Sequence, residues 1–445
     1  MKRAAVILAA ILAGCGGGGG DIGGGAAVMP PGNLQPSSPL PGDPIKHIVV
    51  IIQENRSVDD LLQFVPALDT ASSGPSVAGK MIRLVPRPLT APFDIRHEHA
   101  DFESAYRAGA MNGWDDEKCE GACPNNPAYA YVPQSEVQPY YDLCEQYVCA
   151  DRMFQTNQGP SFPAHEYLLS ATSSIADGSP FRASENPSGD NGIFVRGGCD
   201  SPADTLTETI DPKGVEGSPV FPCFNRRSIV QELTESGVSW KYYQAVGGAG
   251  YWNGVDALKP VWQKPDYRKN VVSPSTRVLN DISQGLLPSV SFVTPSAACS
   301  DHATITSGCG PSWVASVVNA IGQSPYWGST AILITWDDWG GWYDHVKPTI
   351  YDSYTDGFRV PFIVVSPYGL ARHIDHKQHE FGSILKFIEH TFKVPSLGET
   401  DARCDDLSAD FKYTQTPLKF HRILAKYGKE WFVKRRVDDR IPDDD

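Results

Sequence analysis

The chain has 445 residues, 41% hydrophobic and 20% charged, with 38 basic against 52 acidic side chains and a net charge of −14. That is enough for one large α/β domain or two ordinary ones, and the apolar content is that of a globular protein. The acidic balance lacks the basic footprint of a nucleic-acid binder and earns no attraction from anionic membranes. No apolar run reaches the roughly 20 residues that a spanning helix needs.

Lys2 and Arg3, the apolar run Ala4 to Leu12 and the small residues before Cys15 make a secretory signal over residues 1–14. Leu12-Ala13-Gly14-Cys15 resembles the bacterial lipoprotein signal, which implies lipidation of Cys15 and a membrane anchor through its acyl chains. Residues 15–45, rich in Gly, Pro and Ser, read as a flexible tether. The expected protein is therefore exported, at the outer membrane, periplasm or cell surface. Nine further cysteines fit an oxidising compartment. Cys119–Cys123, Cys199–Cys223 and Cys299–Cys309 are the expected pairs, and the odd count leaves at least one thiol over.

After Pro44 the texture changes. His47 to Gln53 is a nearly continuous β-branched run, as in a strand buried on both faces. Similar runs are Val290–Thr294, Ala331–Trp336 and Pro361–Ser366. Helical spacing covers Gln138–Tyr147, His165–Ala171, Ser312–Gln323 and Gly382–Phe392. Buried strands alternating with helices predict an α/β fold with a largely parallel central sheet. Residues 173–227 read as an elaborated loop region. The domain is expected over 46–400, with a C-terminal segment 401–445 that is partly helical across Pro417–Val433 and ends in an acidic tail.

Ligands of open α/β sheets bind beyond the carboxyl ends of the strands. The first strand is followed by Glu54-Asn55, and the run ending at Trp336 by Asp337-Asp338. Three carboxylates and an amide oxygen brought together would repel unless a divalent cation joined them. Both aspartates can face one ion only if the strand ends before them, and Gly340-Gly341 permits the turn. Ser161, after Gly159-Pro160, stands at an expected helix N-cap, where the positive helix end favours an alkoxide and a phosphate. No G-x-S-x-G elbow supports acyl transfer. His97, His302, His345 and the group His373, His376 and His379 complete the inventory, as candidates for leaving-group protonation and phosphate contact.

His47-Ile48-Val49-Val50-Ile51-Ile52-Gln53-Glu54-Asn55-Arg56-Ser57 resembles the start of the bacterial phosphoesterase family of phospholipases C and related acid phosphatases. In order along the chain, His97 before Met111-Asn112-Gly113-Trp114, the Gly-Pro-Ser161 segment and Ser300-Asp301-His302 match further family motifs. So do Trp336-Asp337-Asp338-Trp339-Gly340-Gly341-Trp342-Tyr343-Asp344-His345 and Arg359-Val360-Pro361. The resemblance implies an alkaline-phosphatase-like sheet and hydrolysis of phosphoesters through a phosphoserine intermediate. Glu54, Asn55, Asp337, Asp338 and Ser161 would hold one divalent metal ion (Ca, Mg, Mn or Zn), and Ser161 would attack phosphorus. His97 and His345 would lie near the phosphate, with His302 and His376 competing as proton donors and Asp301 orienting. The substrate would be a phosphate monoester or a phospholipid or other phosphodiester. Ser161-Phe162-Pro163-Ala164-His165 departs from the Thr-Asn-Pro-Asn-Arg text of many phospholipases C. It also lacks the arginine of a sulfatase motif. The alternatives are an inactive binding lipoprotein of this fold and a sulfatase-like hydrolase.

Overall fold

The computed structural model describes residues 44–189, 197–245, 250–438 and 440. The expected signal peptide, Cys15, nearly all of the tether and the acidic tail at 441–445 lie outside the described residues.

The central sheet has eight strands. In chain order these are β1 His47–Gln53, β2 Val148–Ala150, β3 Trp240–Tyr243 and β4 Val271–Val272. Then come β5 Val290–Val293, β6 Thr330–Trp336, β7 Phe362–Val365 and β8 His373–Asp375. Their spatial order is β4-β3-β5-β1-β6-β7-β2-β8. Every pairing is parallel except those of β7, which runs against both its neighbours. The expected α/β fold with a largely parallel sheet is thus observed. β1, β5, β6 and β7 are buried at every residue, which is why their sequences run as unbroken apolar stretches instead of alternating.

Helices α1 Gln138–Cys144, α2 Ser161–Ser170, α3 Arg277–Gln284, α4 Gly310–Gly322 and α5 Phe381–Phe392 flank the sheet. α4 packs on α1 and α3, while α2 packs on α5. Helix α2 begins four residues before the expected His165, because Pro163 falls in the first turn, where a missing N–H costs nothing. Helix α1 ends at Cys144 because the chain turns directly into β2, and a Cys144–Cys149 disulfide ties the two elements.

The helix expected over Pro417–Val433 shrinks to Lys429–Lys434. The preceding backbone bonds to the body instead of to itself. Leu418 N–H donates to Pro367 O, and Ile423 exchanges two bonds with the Asn319 side chain. Tertiary partners have overridden helical spacing. The region 173–227 contains a small antiparallel sheet of Arg182–Ala183, Thr207–Ile210 and Glu216–Val220. Phe162, at the start of α2, shares a buried cluster with Ala183, Phe224 and Trp252. The three expected disulfides form, Cys144–Cys149 is a fourth, and Cys404 is a buried free thiol.

Candidate active site

β1 and β6 lie in parallel register with Gln53 opposite Trp336, so the two strands end level. Glu54-Asn55 and Asp337-Asp338 therefore leave the sheet side by side at its carboxyl edge. Asn55 adopts a left-handed φ of 61°, a conformation asparagine tolerates better than most residues. Its N–H donates to Asp337 Oδ1 at 3.0 Å. After Asp338 the chain turns through Gly340 (φ 60°). A Cβ on Gly340 would stand 2.6 Å from the Asn55 carbonyl oxygen, so only glycine allows the two strand ends to close up. Gly340 N–H also donates to Asp338 Oδ1 at 2.7 Å, fixing that carboxylate. The turn needed for both aspartates to serve one site is present.

Two neighbouring groups of side chains result. In one, Ser161 Oγ donates to Asp338 Oδ2 at 3.1 Å and lies 3.5 Å from Asn55 Oδ1. Asn55 Nδ2 donates to His97 Nε2 at 3.0 Å. In the other, Glu54, His165 and Asp337 each offer a ligand atom within 4.8 Å of the others. His165 Nε2 is 3.3 Å from Glu54 Oε1 and 3.6 Å from Asp337 Oδ2. All these residues are buried. Ser161 is the first residue of α2, not its N-cap as expected. Pro160 takes the cap position, and Asn186 Oδ1 accepts the Phe162 N–H at 2.9 Å, so the serine hydroxyl is not consumed in capping.

His165 was not among the expected site residues. It stands four residues after Ser161, and that spacing puts both side chains on one face of a helix. Burial, only partly opposed by the Asp337 charge, lowers its pKa to about 4. The imidazole is then neutral at pH 7 and available as a ligand, and it brings no positive charge to the carboxylates. Asp337 Oδ2 accepts no hydrogen bond among the described residues. A buried anionic oxygen beside a neutral imidazole is a donor set that fits a divalent cation. An imidazole among carboxylates moves the fit toward zinc or manganese and away from calcium or magnesium.

His97 and His302 are alike in how they are held. Each points Nδ1 at a backbone carbonyl, Ile95 O at 2.8 Å and Ala303 O at 2.7 Å. A carbonyl can only accept, so Nδ1 carries the proton and Nε2 is the titratable face. The rings lie 6.3 Å apart, with His97 Nε2 3.9 Å from Asp338 Oδ2.

Other expected residues stand elsewhere. The Asp301 carboxylate accepts from Tyr140 OH at 2.7 Å and Trp336 Nε1 at 3.1 Å, and burial raises its pKa to about 6. Those donors turn it away from Ser161. The Asp301 carbonyl accepts two bonds from Arg56, whose guanidinium also reaches Asp60 Oδ1 and Leu89 O. Arg56 thus stitches the Ser300–His302 turn to the end of β1. His345 has both ring nitrogens taken, by Asp59 Oδ2 at 2.7 Å and Asp69 Oδ1 at 3.1 Å, beside Arg359. Burial opposes its charge, but the bond to Asp59 and the Asp59 and Asp344 carboxylates outweigh it and raise its pKa. His376 is exposed and pairs with Asp151 at 2.7 Å. Neither histidine contacts Ser161.

His97 and Pro160 line an open cavity of about 850 Å³. Seven carboxylate side chains border it, among them Asp94, Glu98, Glu185 and Glu216, against Arg96.

A serine hydroxyl on a buried carboxylate stands beside a candidate metal-ligand group at the carboxyl edge of the largely parallel sheet, an arrangement that suits hydrolysis of phosphoric esters. The model of the Phosphoesterase family matches residues 45–395, and the chain belongs to that family. It is 27% identical over 465 residues to phospholipase C B of Mycobacterium tuberculosis, covering 86% of this chain and 80% of the relative. Non-specific phospholipase C1 of Arabidopsis thaliana is 25% identical over 429 residues, covering 84% and 72%. Among solved structures, a protein of the alkaline phosphatase superfamily from Vibrio parahaemolyticus aligns with a TM-score of 0.36 and 11% identity, covering 80% and 69%.

Proposed function

We propose that the protein hydrolyses phosphoesters through a phosphoserine on Ser161, with a divalent cation held by Glu54, His165 and Asp337 and supported by Asn55 and Asp338. The Ser161–Asp338 hydrogen bond beside the buried Glu54–His165–Asp337 group carries the reading. When bound, the cation would neutralise phosphate oxygens and lower the barrier to attack by the serine.

The chain's own residues account for the rest. Asp338 orients the Ser161 hydroxyl and takes its proton as the Oγ–P bond forms and the bond to the leaving alcohol breaks. Asn55 holds His97 through its side-chain Nδ2 and the Asp337 carboxylate through its backbone N–H. Protonated at Nε2, His302 would give the leaving oxygen its proton, while His97 Nε2 accepts from Asn55 Nδ2. Water then displaces phosphate or the phosphoryl headgroup from Ser161. Asp301 and Arg56 are positioning residues in this scheme, and His345 and His376 take no part in it.

The acidic cavity supports a substrate with a positively charged group, such as a phosphocholine ester, over a polyanionic one. The relatives' names as phospholipases C agree with that class. The Ser161→Ala variant tests the reading: p-nitrophenyl phosphate and p-nitrophenyl phosphocholine should both go unhydrolysed while the fold persists. Retained turnover would reject the nucleophile. We infer from residues 1–15 that the enzyme is exported and anchored by lipid at Cys15.

A further inference from the structure

An aspartate that orients a histidine is expected from sequence at Asp301, but that carboxylate turns to Tyr140 and Trp336. Another aspartate stands where such a role needs one. Asp94 Oδ2 lies 3.7 Å from His302 Nε2, an ion-pair distance. His302 Nδ1 is committed to the Ala303 carbonyl at 2.7 Å. Nε2 is therefore the atom that gains or gives a proton, and it is the atom that Asp94 faces.

The local chain places Asp94 for this. It is the middle residue of a short strand, Phe93–Ile95, in which Phe93 and Ile95 are buried. Side chains alternate along a strand, so Asp94 points the other way, into the acidic cavity that His97 also lines. Cys119–Gly121 backs the strand, and a Cys119–Cys123 disulfide ties the end of that neighbour. Thr304 N–H donates to Ala91 O at 3.0 Å and joins the His302 turn to the same segment. Asp94 Oδ1 accepts the Ile95 N–H at 2.9 Å, with Oδ2 toward the histidine.

The other charged groups nearby are engaged elsewhere. The His97 ring is 6.3 Å from that of His302, bonds to Asn55 and lies 3.9 Å from Asp338 Oδ2. Arg56 is held by the Asp301 carbonyl and by Asp60. Beside Asp94, Arg96 pairs with Glu98 and Asp101, and Glu120 lies opposite on the neighbouring strand.

We propose that Asp94 is a positioning residue for proton transfer: its carboxylate keeps the proton on His302 Nε2 until the leaving oxygen takes it. The inference rests on the reading of His302 as the proton donor. An ionised carboxylate at this distance favours the charged imidazolium over the neutral ring. As the bond from phosphorus to the leaving oxygen breaks, the proton passes from Nε2 to that oxygen, and Asp94 stays ionised. The water that then attacks the phosphoserine gives a proton back to Nε2, which restores the imidazolium for the next cycle.

The test compares two phosphate monoesters on the full chain. p-Nitrophenolate departs as a stable anion and has little need of a proton, whereas the alkoxide of benzyl phosphate departs only with one. The quantity measured is kcat/KM, which covers the steps up to departure of the alcohol. In Asp94→Asn the amide oxygen can still accept the Ile95 N–H, so the charge is lost and the loop is kept. On benzyl phosphate the alkaline limb of the kcat/KM profile should move down by about one pH unit or more, a loss of about tenfold above it. Turnover of p-nitrophenyl phosphate should be nearly unchanged. His302→Ala should show the same split between the esters, and adding Asp94→Asn to it should cost nothing further. Equal losses on both esters, an unmoved limb, or additive losses in the double variant would overturn the proposal. A His302→Ala variant without the split would instead remove His302 as the donor, and the role of Asp94 with it. If Asp94→Asn does not fold, Asp94→Ser, whose hydroxyl can also accept the Ile95 N–H, decides.

Discussion

Replacing Asp338 by asparagine isolates the group that prepares the nucleophile. The side chain keeps its shape, and its oxygen can still accept the Gly340 N–H that now binds Oδ1 at 2.7 Å. What changes is the atom 3.1 Å from Ser161 Oγ, which turns from a carboxylate acceptor into an N–H donor. The serine hydroxyl then receives a hydrogen bond on the lone pair it needs for attack, and its proton has no carboxylate to go to. A positioned general base contributes about 10²–10⁴ in rate. The variant should therefore lose roughly 3–5 kcal/mol of transition-state stabilisation. Removing one of several buried neighbouring carboxylates relieves repulsion, so the melting temperature of chelator-treated protein should hold or rise. The assay is kcat on p-nitrophenyl phosphocholine beside a thermal melt. A kcat within about tenfold of wild type, at unchanged melting temperature, would refute the role, since tenfold is only about 1.4 kcal/mol.

Other outcomes follow from the same geometry. Ser161→Ala should cost well under the 0.5–2 kcal/mol or so of a lost helix cap, because Ser161 makes no cap bond; circular-dichroism melts check this. Burial and then the neighbouring Asp401 charge raise the Glu389 pKa from 4.5 to about 8. The folded state therefore holds a proton that the unfolded state has released above about pH 4.5, and stability falls as pH rises from there through 8. Glu389→Gln should remove that loss, giving a variant more stable than wild type at pH 8 and equal to it below pH 4.5 in urea titrations. Turnover of the phosphocholine ester relative to the anionic monoester should narrow as salt rises, if the acidic cavity supplies the preference; a salt-independent ratio of kcat/KM would reject that. Cys15→Ser should move the protein from the membrane to the soluble fraction, and equal fractionation of both forms would end the lipid-anchor reading.

The sequence was most legible where one physical cause acted alone. β1, β5, β6 and β7 are buried on both faces, so their apolar runs betray them to within a residue. Their polar continuations, Glu54-Asn55 and Asp337-Asp338, could be read as one site because parallel strands end on one edge. β2, β3, β4 and β8 were missed: Val148–Ala150, Val271–Val272 and His373–Asp375 are two or three residues long, too short for any period to show. The C-terminal segment misled because helical spacing cannot report that Asn319 captures Ile423. Among the histidines, motif membership does not report which groups surround the ring. His345 lies within the most specific motif but is locked between Asp59 and Asp69. His165 carried a local signal in its i, i+4 spacing from Ser161, unused because Ser161 was expected as the N-cap, outside the helical face it shares with His165. Asp301 could not be separated from His302 by sequence, since only the fold shows that its carboxylate turns to Tyr140 and Trp336.

The most direct test of the central claim is to quench wild-type protein in acid during turnover of a phosphoester and map the modified peptide by mass spectrometry. The mechanism predicts one added phosphoryl group, on Ser161 of the peptide that contains Phe162 and Pro163, and none in Ser161→Ala. A phosphoryl group on another residue, or an unmodified Ser161 under conditions where product forms in a burst, would contradict it.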